Sequence, residues 1–206
     1  MIHDSCIESG NFIFRQTSIK DVIVVDAKAH VDERGCFMET YQQKDFEKGG
    51  IHCKFVQDNQ SSSVKGVLRG LHFQIQYPQA KLVRVVHGAV FDVAVDLRAS
   101  SATYGRWEGV VLSSSNRRQL FVPRGFAHGF LVLTERAEFC YKCDELYHPG
   151  DEGGVAWDDS QIGIRWPPLE GEEEFDPTRI ILSEKDRHHP QLRDSAVSLE
   201  GCIGNL

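Results

Sequence analysis

The stretch that decides the fold class is LVRVVHGAVFDVAVDL, residues Leu82–Leu97. From residue 91 onward every second residue is apolar, and two of the intervening positions are Asp92 and Asp96. This period of two is typical of a β-strand, whose side chains alternate between two faces. His87-Gly88-Ala89 separates this strand from the apolar run before it. The segment is therefore predicted to form two strands, Leu82–Val86 and Val90–Leu97, joined by a hairpin-like turn.

Short apolar runs separated by turn residues continue along most of the chain. The other predicted strands are Ile19–Val25, Cys36–Tyr41, Phe55–Asn59, Val67–Gln74, Trp107–Ser113, Gln119–Val122, Phe130–Leu133 and Ala137–Cys143. One helix is predicted at Gln42–Gly49, which is polar around Phe46 and ends in a glycine pair. Strands at this spacing predict an all-β sandwich or barrel with a few short helices. The absence of βα alternation, a GxGxxG motif and a P-loop argues against a nucleotide-binding α/β enzyme.

Length, charge and hydropathy narrow the functional classes. The 206 residues suit one domain, and the net charge of −7 disfavours a general nucleic-acid binder. No stretch approaches the roughly 20 apolar residues of a membrane helix. The N-terminus carries Asp4 and Glu8 and lacks the pattern of a secretory signal, so we expect a cytoplasmic protein with no membrane partner.

The six cysteines are interpreted as reduced thiols, as expected in that compartment. Cys140 and Cys143 form the only close pair and lie on a predicted strand, where residues three apart point to opposite faces. A structural zinc site would need a second pair, which is missing.

The composition and hydropathy pattern of the sequence change after Trp166-Pro-Pro168. Residues 170–177 form an acidic loop, and residues 187–206 show only weak patterning, so we expect a loose tail or short helix there. The predicted organisation is one domain over residues 1–186 followed by a C-terminal tail, 187–206.

Two motifs carry candidate chemistry: Arg69-Gly-Leu-His-Phe-Gln74 and Pro123-Arg-Gly-Phe-Ala-His-Gly-Phe130. The second is similar to the PxGxxH half-motif of cupin barrels, and His128 follows what is interpreted as a Gly-Phe-Ala turn. In metal-binding cupins the first half-motif supplies an HxH pair, whereas here His72 precedes Phe73 and Gln74. At most His72 and His128 would remain as ligands, fewer than the three of a catalytic zinc site, so we expect no catalytic metal.

A metal-free barrel with an interior histidine suits proton abstraction next to a carbonyl group. His72 is a candidate base near neutral pH, Lys81 can stabilise a developing oxyanion, and Tyr141 can donate a proton. The alternatives are a structural histidine, a solvated lysine and a core tyrosine. Strict alternation would put Arg69 and His72 on opposite faces unless a bulge at Gly70 realigns them. The histidines interpreted as surface or loop residues are His3, His30, His52, His87, His148, His188 and His189.

The same residues carry a family resemblance. The sequence closely resembles dTDP-4-dehydrorhamnose 3,5-epimerases, sugar-nucleotide epimerases of the cupin superfamily, over about residues 19–186. The matching motifs are Asp32-Glu-Arg-Gly35, Phe55-Val-Gln-Asp-Asn59, Gly66-Val-Leu-Arg-Gly-Leu-His-Phe-Gln74, Lys81-Leu-Val-Arg84, Gly88–Arg98, Arg118-Gln-Leu-Phe-Val-Pro123, Gly125-Phe-Ala-His-Gly-Phe130, Glu138-Phe-Cys-Tyr-Lys142 and Leu182-Ser-Glu-Lys-Asp186. The resemblance implies a cupin-type jelly roll.

The resemblance also implies a mechanism and a substrate, dTDP-4-dehydro-6-deoxy-D-glucose. His72 matches the general base, Asp186 the carboxylate that orients it, Lys81 the group that stabilises the enolate, and Tyr141 the acid. No metal or redox cofactor is needed. The residues matched to substrate binding are Arg34, Glu39, Gln57, Asp58, Asn59, Arg69, His128, Glu152 and Lys185.

Members of the family form homodimers that exchange N-terminal segments, which implies that Arg34 and Glu39 serve the partner's site. Three other functions stay open at this point. They are a monoepimerase acting at C3 or C5 alone, a non-catalytic cupin that binds a sugar nucleotide, and a metal-dependent cupin oxygenase or isomerase.

Overall fold

A computed structural model describes residues 6–194 of the chain. The strands are β1 (Cys6–Ser9), β2 (Phe12–Gln16), β3 (Ile23–Ala27), β4 (Ala29–Asp32), β5 (Gly35–Met38), β6 (Gln57–Val64), β7 (Leu68–Gln74), β8 (Lys81–His87), β9 (Ala89–Asp96), β10 (Trp107–Ser113), β11 (Arg118–Val122), β12 (Phe126–Val132), β13 (Arg136–Cys143) and β14 (Glu152–Gly154). The helices are α1 (Gln43–Lys48) and α2 (Glu184–Arg187), with a 3₁₀ turn at Pro177–Arg179. Predictions for His3, Cys202 and residues 195–206 lie outside the described residues.

Two antiparallel sheets pack face to face. The larger has the order β1-β2-β3-β11-β8-β13-β6 and the smaller β10-β9-β12-β7-β14, while β4 and β5 form a separate hairpin. Val83 and Phe139 of the larger sheet pack between the sheets with Ala94 and Phe130 of the smaller one. Alternate residues of each strand therefore face this shared interior, and the predicted all-β sandwich is confirmed.

Further apolar clusters cover the outer face of each sheet. On the larger sheet, Phe12, Phe14 and Phe46 pack over Leu82. On the smaller sheet, Trp166 and other residues of the C-terminal third pack over β7 and β9. Because both faces of the central strands are buried, apolar residues occur on both, as at Val83 and Leu82 of β8.

The predicted hairpin between β8 and β9 is wrong. Both strands exist, but β8 pairs with β11 and β13, whereas β9 pairs with β10 and β12 in the other sheet. Gly88 makes the crossing with φ 74°, and a Cβ there would lie 2.0 Å from the carbonyl oxygen of Arg136. Alternation identifies a strand, but it does not identify the neighbour with which that strand pairs.

Several strand boundaries also differ from expectation, among them the starts of β3 and β12. The strand predicted from Ile19 begins at Ile23, because residues 17–22 form a turn in which Asp21 has φ 74°. β12 begins at Phe126, four residues earlier than predicted, so His128 lies inside a strand and not after a turn. All seven residues of β12 are buried, and a strand buried on both faces shows no alternation to mark its start.

The predicted helix is confirmed as α1. The Gln42 side chain accepts hydrogen bonds from the backbone N–H groups of Lys44 and Asp45, and the N–H of Gly49 donates to the carbonyl of Asp45. These contacts satisfy terminal backbone groups that the helix itself cannot. Phe46 is fully buried and anchors the helix against β1 and β2.

The C-terminal part packs against the smaller sheet as far as it is described. The backbone N–H of Ala156 donates to the carbonyl of Pro190, and Leu192 is buried in the outer cluster. In the acidic loop, the Asp176 side chain caps the 3₁₀ turn and Arg179 forms an ion pair with Glu172. No helix within residues 6–194 combines the length and apolar character needed to cross a bilayer.

Candidate active site

A bulge in β7 brings Arg69 and His72 to the same face of the smaller sheet. His72 is opposite His128 on β12, and Arg69 is opposite Phe130. These two pairs are three residues apart on β7 but two residues apart on β12, so β7 contains one extra residue. Gly70 has φ 129°, and a Cβ there would lie 2.6 Å from the Cα of Gly129, so only glycine fits. The bulge expected at Gly70 is confirmed.

The His72 ring is held by two carboxylates from later parts of the chain. Its Nε2 lies 2.6 Å from Oδ1 of Asp186, and its Nδ1 lies 3.8 Å from Oε1 of Glu152. Asp186 is presented by the short helix α2, whose start is capped by the Ser183 hydroxyl. The His72 side chain is 27% exposed and that of Asp186 only 4%, so the imidazole is accessible and its partner is not.

The pKa of the Asp186 carboxyl lies below its ordinary value. Burial acts to raise this pKa, but His72, together with the Ser183 hydrogen bond and the nearby His189, more than offsets it. The same balance lowers the pKa of Glu152, where burial is outweighed by hydrogen bonds from Lys185 and Tyr147. Both groups are therefore carboxylates at neutral pH.

Lys81 and Tyr141 face the same interior from the larger sheet. Lys81 shares a face of β8 with Val83 and Val85, and Tyr141 packs against the core between the sheets. Burial lowers the pKa of the Lys81 ammonium, while nearby Cys143, Glu152 and Asp92 act in the opposite direction.

Burial also raises the pKa of the Tyr141 phenol above 10.0, chiefly because its anion would be poorly solvated. Tyr141 is therefore protonated at neutral pH and able to donate a proton. The interior thus holds the imidazole of His72, the ammonium of Lys81, which loses its proton more readily than an ordinary lysine, and the phenol of Tyr141, which keeps its proton.

His128 forms a second histidine–carboxylate pair deeper in the interior. Its Nε2 lies 3.0 Å from both carboxylate oxygens of Asp92, which is completely buried on the adjacent strand β9. The His128 ring also stacks on Phe139. Alternation placed Asp92 opposite the apolar face of its strand, but nothing in the sequence pattern connects it to His128.

Several predicted binding residues adjoin this interior. Arg69 donates to the Ser63 hydroxyl at 3.1 Å, Gln57 donates to Asn59, and Asn59 lies 3.8 Å from the Cys143 sulfur. On the other side of the site, Glu152 forms an ion pair with Lys185 and accepts a hydrogen bond from the Tyr147 hydroxyl at 2.8 Å. Tyr147 was not among the predicted residues.

Three predicted binding residues point elsewhere in this chain. Asp58 lies on the outer face of β6, where Lys142 donates to it at 2.6 Å. Arg34 is at the exposed tip of the β4–β5 hairpin, and within residues 6–194 its polar partner is Asp32. Glu39 follows that hairpin and accepts a hydrogen bond from Asn11.

His189 lies in the loop after α2, one of its two predicted locations, but its side chain is only 8% exposed. Its Nε2 lies 3.3 Å from Oδ1 of Asp186, and its ring meets that of His72 edge to face at 5.4 Å. The ring occupies the space above Gly154, where a Cβ would lie within 2.5 Å of three ring atoms. The spacing of three residues after Asp186 is the only sequence signal that could have identified it.

The three groups His72, Asp186 and His189 form the one cluster of potential metal ligands found within residues 6–194. Their donor atoms lie within 4.8 Å of one another. His128 is not part of this cluster, although it was counted as a possible ligand from the sequence. The five described cysteines are free thiols, and Cys140 and Cys143 face opposite sides of β13 as predicted.

Comparisons with known proteins identify the family. The family model described as dTDP-4-dehydrorhamnose 3,5-epimerase matches residues 16–194. An enzyme of that name from Methanothermobacter thermautotrophicus is 53% identical over 190 residues, which are 92% of this chain and 100% of the relative. The chain belongs to the dTDP-4-dehydrorhamnose 3,5-epimerase family.

Solved structures agree with the family assignment. The crystal structure of a dTDP-6-deoxy-D-glucose-3,5-epimerase from Legionella pneumophila, in complex with dTDP-4-keto-L-rhamnose, matches with a TM-score of 0.82 and 47% identity, covering 89% of this chain and 94% of that one. A 3'-monoepimerase from Streptomyces bikiniensis, in complex with dTDP-quinovose, matches with a TM-score of 0.76 and 32% identity over 86% of both chains. The fold is thus the cupin-type jelly roll of these epimerases, and both the predicted fold and the family resemblance are confirmed.

Proposed function

We propose that this protein epimerises dTDP-4-dehydro-6-deoxy-D-glucose at C3 and C5 to dTDP-4-dehydro-L-rhamnose, a step of rhamnose biosynthesis. The observation that carries the proposal is the His72–Asp186 pair, which opens onto the interior that Lys81 and Tyr141 also face. The 53% identity to a relative of that name supports the same activity.

His72 is the proposed general base. When its Nε2–H donates to Asp186, the lone pair of the neutral ring lies on Nδ1, which can take a proton from the carbon next to the C4 ketone. The Asp186 carboxylate then stabilises the imidazolium that forms, because its low pKa keeps it charged. Asp186 thus fixes both the tautomer and the orientation of the base.

Lys81 is the proposed stabiliser of the enolate. Removing a proton from C3 or C5 moves negative charge onto the C4 oxygen, and a fixed ammonium in a partly dry interior lowers the energy of that charge. One such donor contributes about 3–4 kcal/mol, and a positioned base contributes about 10²–10⁴-fold in rate. Both contributions are needed to reach an enolate.

Tyr141 is the proposed acid that returns a proton to the opposite face of the sugar ring. It approaches from the larger sheet, whereas His72 approaches from the smaller sheet. Inversion requires removal and return of the proton on different faces, and two groups on opposing sheets suit that requirement. The raised pKa of Tyr141 keeps its proton available.

The nucleotide part of the substrate is assigned to the other matched residues. Arg69, Lys185 and Arg34 supply the charge-assisted donors that a pyrophosphate prefers. Glu152, Gln57 and Asn59 are assigned to the surroundings of the base and His128 to the deeper interior. Asp58 and Glu39 complete the proposed set. The reaction as proposed uses no metal and no cofactor.

We further propose that the protein is a homodimer in which the β4–β5 hairpins are exchanged. The hairpin pairs with no other strand among the described residues and exposes Val31 and Phe37. Exposed apolar side chains on a projecting arm are typical of a protein interface. In the dimer, Arg34 and Glu39 would reach the partner's site. Among the described residues of this chain their side chains contact Asp32 and Asn11, respectively.

The proposed domain organisation is an epimerase domain over residues 1–186 and a tail over residues 187–206. The proposed location is the cytoplasm, which suits the free thiols of the described cysteines.

The deciding experiment is proton NMR of the 4-keto sugar nucleotide incubated with the protein in D₂O. Deuterium entering both C3 and C5, with formation of the L-sugar, is the expected result. Label at one carbon alone would replace the proposal with a monoepimerase, the activity named for the Streptomyces bikiniensis relative. No label despite binding of the nucleotide sugar would indicate a non-catalytic binding protein.

A Tyr141→Phe variant tests the second half of the mechanism. It removes the proton donor while keeping the ring that packs against the core. We expect it to retain deuterium exchange and to lose about 10²-fold in product formation. An unchanged product yield would remove Tyr141 as the acid.

A further inference from the structure

We propose that His72, Asp186 and His189 form a binding site for a divalent transition-metal ion such as Zn²⁺, and that the bound ion inhibits the enzyme. The site consists of two imidazoles and one carboxylate at the entrance to the interior. Its binding of metal stands independently of the reaction, whereas the inhibition rests on the proposed function.

The main observation is the unused nitrogen of His189. Its Nε2 is buried, lies 3.3 Å from Oδ1 of Asp186 and has no hydrogen-bond partner within residues 6–194. A buried polar atom without a partner costs free energy, so its position calls for an explanation. An ion between this nitrogen and the Asp186 oxygen would satisfy both atoms.

The spacing of the donors suits a first-row transition metal. Zinc bonds of about 2.0–2.2 Å in a tetrahedral site put neighbouring donors roughly 3.4 Å apart. The separation is 2.6 Å between His72 and Asp186 and 3.3 Å between His189 and Asp186, and all three donors lie within 4.8 Å. An opening of about 1 Å between the His72 and Asp186 donor atoms would bring them to this spacing. Two imidazole nitrogens favour Zn²⁺, Ni²⁺ or Cu²⁺ over Mg²⁺ or Ca²⁺.

The surroundings also support metal binding. The Nδ1 of His72 faces the Glu152 carboxylate at 3.8 Å, and a carboxylate behind the ring commonly orients a metal-binding histidine. The His189 ring is fixed above Gly154, and the adjacent Pro190 is tied to the domain by the Ala156 N–H. A surface cleft that includes Glu152, Lys185 and His189 in its lining provides a route for the ion.

Local charge is compatible with a cation. Asp186 contributes the one acidic side chain of the site, and the neighbouring Glu152 is already in an ion pair with Lys185.

Inhibition follows from the position of the proton on His72. An imidazole nitrogen must be free of its proton to bind a metal, so the ion displaces the proton between Nε2 and Asp186. A neutral ring bound through Nε2 carries its proton on Nδ1. The lone pair proposed to attack C3 and C5 is then occupied, and exchange at both carbons should fall together.

The binding experiment uses the full chain, freed of metal with a chelator, and Co²⁺ as a spectroscopic probe. We expect one ion per chain with visible absorption, and displacement by Zn²⁺ in a calorimetric titration. His189→Asn and His72→Asn should each weaken binding at least about 10-fold. His188→Asn is the matched control, because His188 is the exposed neighbour of His189, and within residues 6–194 its hydrogen bonds and ion pair are to Glu184 and Lys185 of its own helix.

A second variant guards against misfolding. His189→Phe keeps a ring above Gly154 but has no donor nitrogen, and thermal unfolding will show whether each variant is folded. Loss of the ion in both His189 variants, with binding retained in His188→Asn, would support the site. Binding of wild-type strength in a folded His189→Phe, or no binding by the wild type, would overturn it.

Inhibition is then measured as deuterium exchange at C3 and C5 with increasing Zn²⁺. We expect both exchange rates to fall in parallel and the half-inhibiting concentration to rise at least about 10-fold in His189→Phe. Unequal loss at the two carbons, or equal sensitivity of wild type and His189→Phe, would contradict inhibition through His72. If the protein binds the ion as expected but does not epimerise the substrate, the proposed function fails and the metal site stands.

Discussion

His72 and His128 are opposite each other on neighbouring strands, and each has one carboxylate side chain within hydrogen-bonding distance of its Nε2, yet the two pairs differ in exposure and origin. His72 is 27% exposed, and its partner Asp186 comes from a helix 114 residues later. His128 is 8% exposed, and its partner Asp92 lies completely buried on the adjacent strand.

The difference indicates which pair can perform chemistry. A histidine base needs one ring nitrogen free to reach the substrate while a partner holds the other. In the exposed (open) His72–Asp186 pair, Asp186 holds Nε2 and Nδ1 remains for the substrate. In the His128–Asp92 pair, Nε2 is shared equally between both carboxylate oxygens and the ring is stacked on Phe139. We therefore expect changes at the open pair to act mainly on rate, and changes at the buried pair to act on stability as well.

The largest effect is expected for His72→Ala. Removal of the base should lower deuterium exchange at both C3 and C5 by up to about 10⁴-fold, measured by proton NMR. His87→Ala is a matched control, because His87 is exposed at the end of β8 and should leave the rates unchanged. Wild-type exchange in His72→Ala would show that the open pair is not the catalytic one.

A smaller effect is expected for Asp186→Asn. The amide keeps the shape of the side chain but lacks the charge that stabilises the imidazolium, so kcat should fall about 10²-fold with little change in KM. Steady-state kinetics would measure this split. A rise in KM with unchanged kcat would instead indicate that Asp186 serves substrate binding.

The buried pair is tested by Asp92→Asn. Weakening a hydrogen bond to a fully buried carboxylate should reduce the free energy of unfolding by about 1–3 kcal/mol, measured by urea denaturation. Asp186→Asn, examined in the same way, is expected to lose less stability than activity. If the two variants lost equal stability and equal rate, the distinction between the pairs would fail.

The smallest expected effect is on the pH dependence of kcat/KM. Burial lowers the pKa of Lys81 from 10.5, so its required proton is lost at a lower pH than that of an ordinary lysine. The alkaline limb of kcat/KM should therefore lie below pH 10.5 in the wild type. Tyr141 is the other group whose proton is lost at high pH, and burial raises its pKa from the ordinary 10.0.

Lys81→Arg separates these two groups. A guanidinium keeps its charge at all relevant pH values, so the alkaline limb should move upward even if the peak rate falls about 10-fold. Measurement of kcat/KM from pH 7 upward would reveal the shift. An alkaline limb at the same pH in both proteins would assign it to a group other than Lys81.

Local sequence by itself determined much of this protein. Alternation and turn residues predicted most of the strands, because a strand half-covered by the core displays its period directly. Helix α1 was predictable from its polar composition and terminal glycines, and the bulge from Gly70 between Arg69 and His72. Each of these features is local, because it depends on residues that are close together in the sequence.

The tertiary structure alone decided what distant residues do together. It separated β8 and β9 into different sheets, buried Asp92 against His128 and set His189 beside His72. Residues as far apart as His72 and His189 meet only after the smaller sheet has formed and the C-terminal segment has packed on it. Sequence patterns record which face of an element is buried, whereas the partner on the other side is fixed by packing of the whole chain.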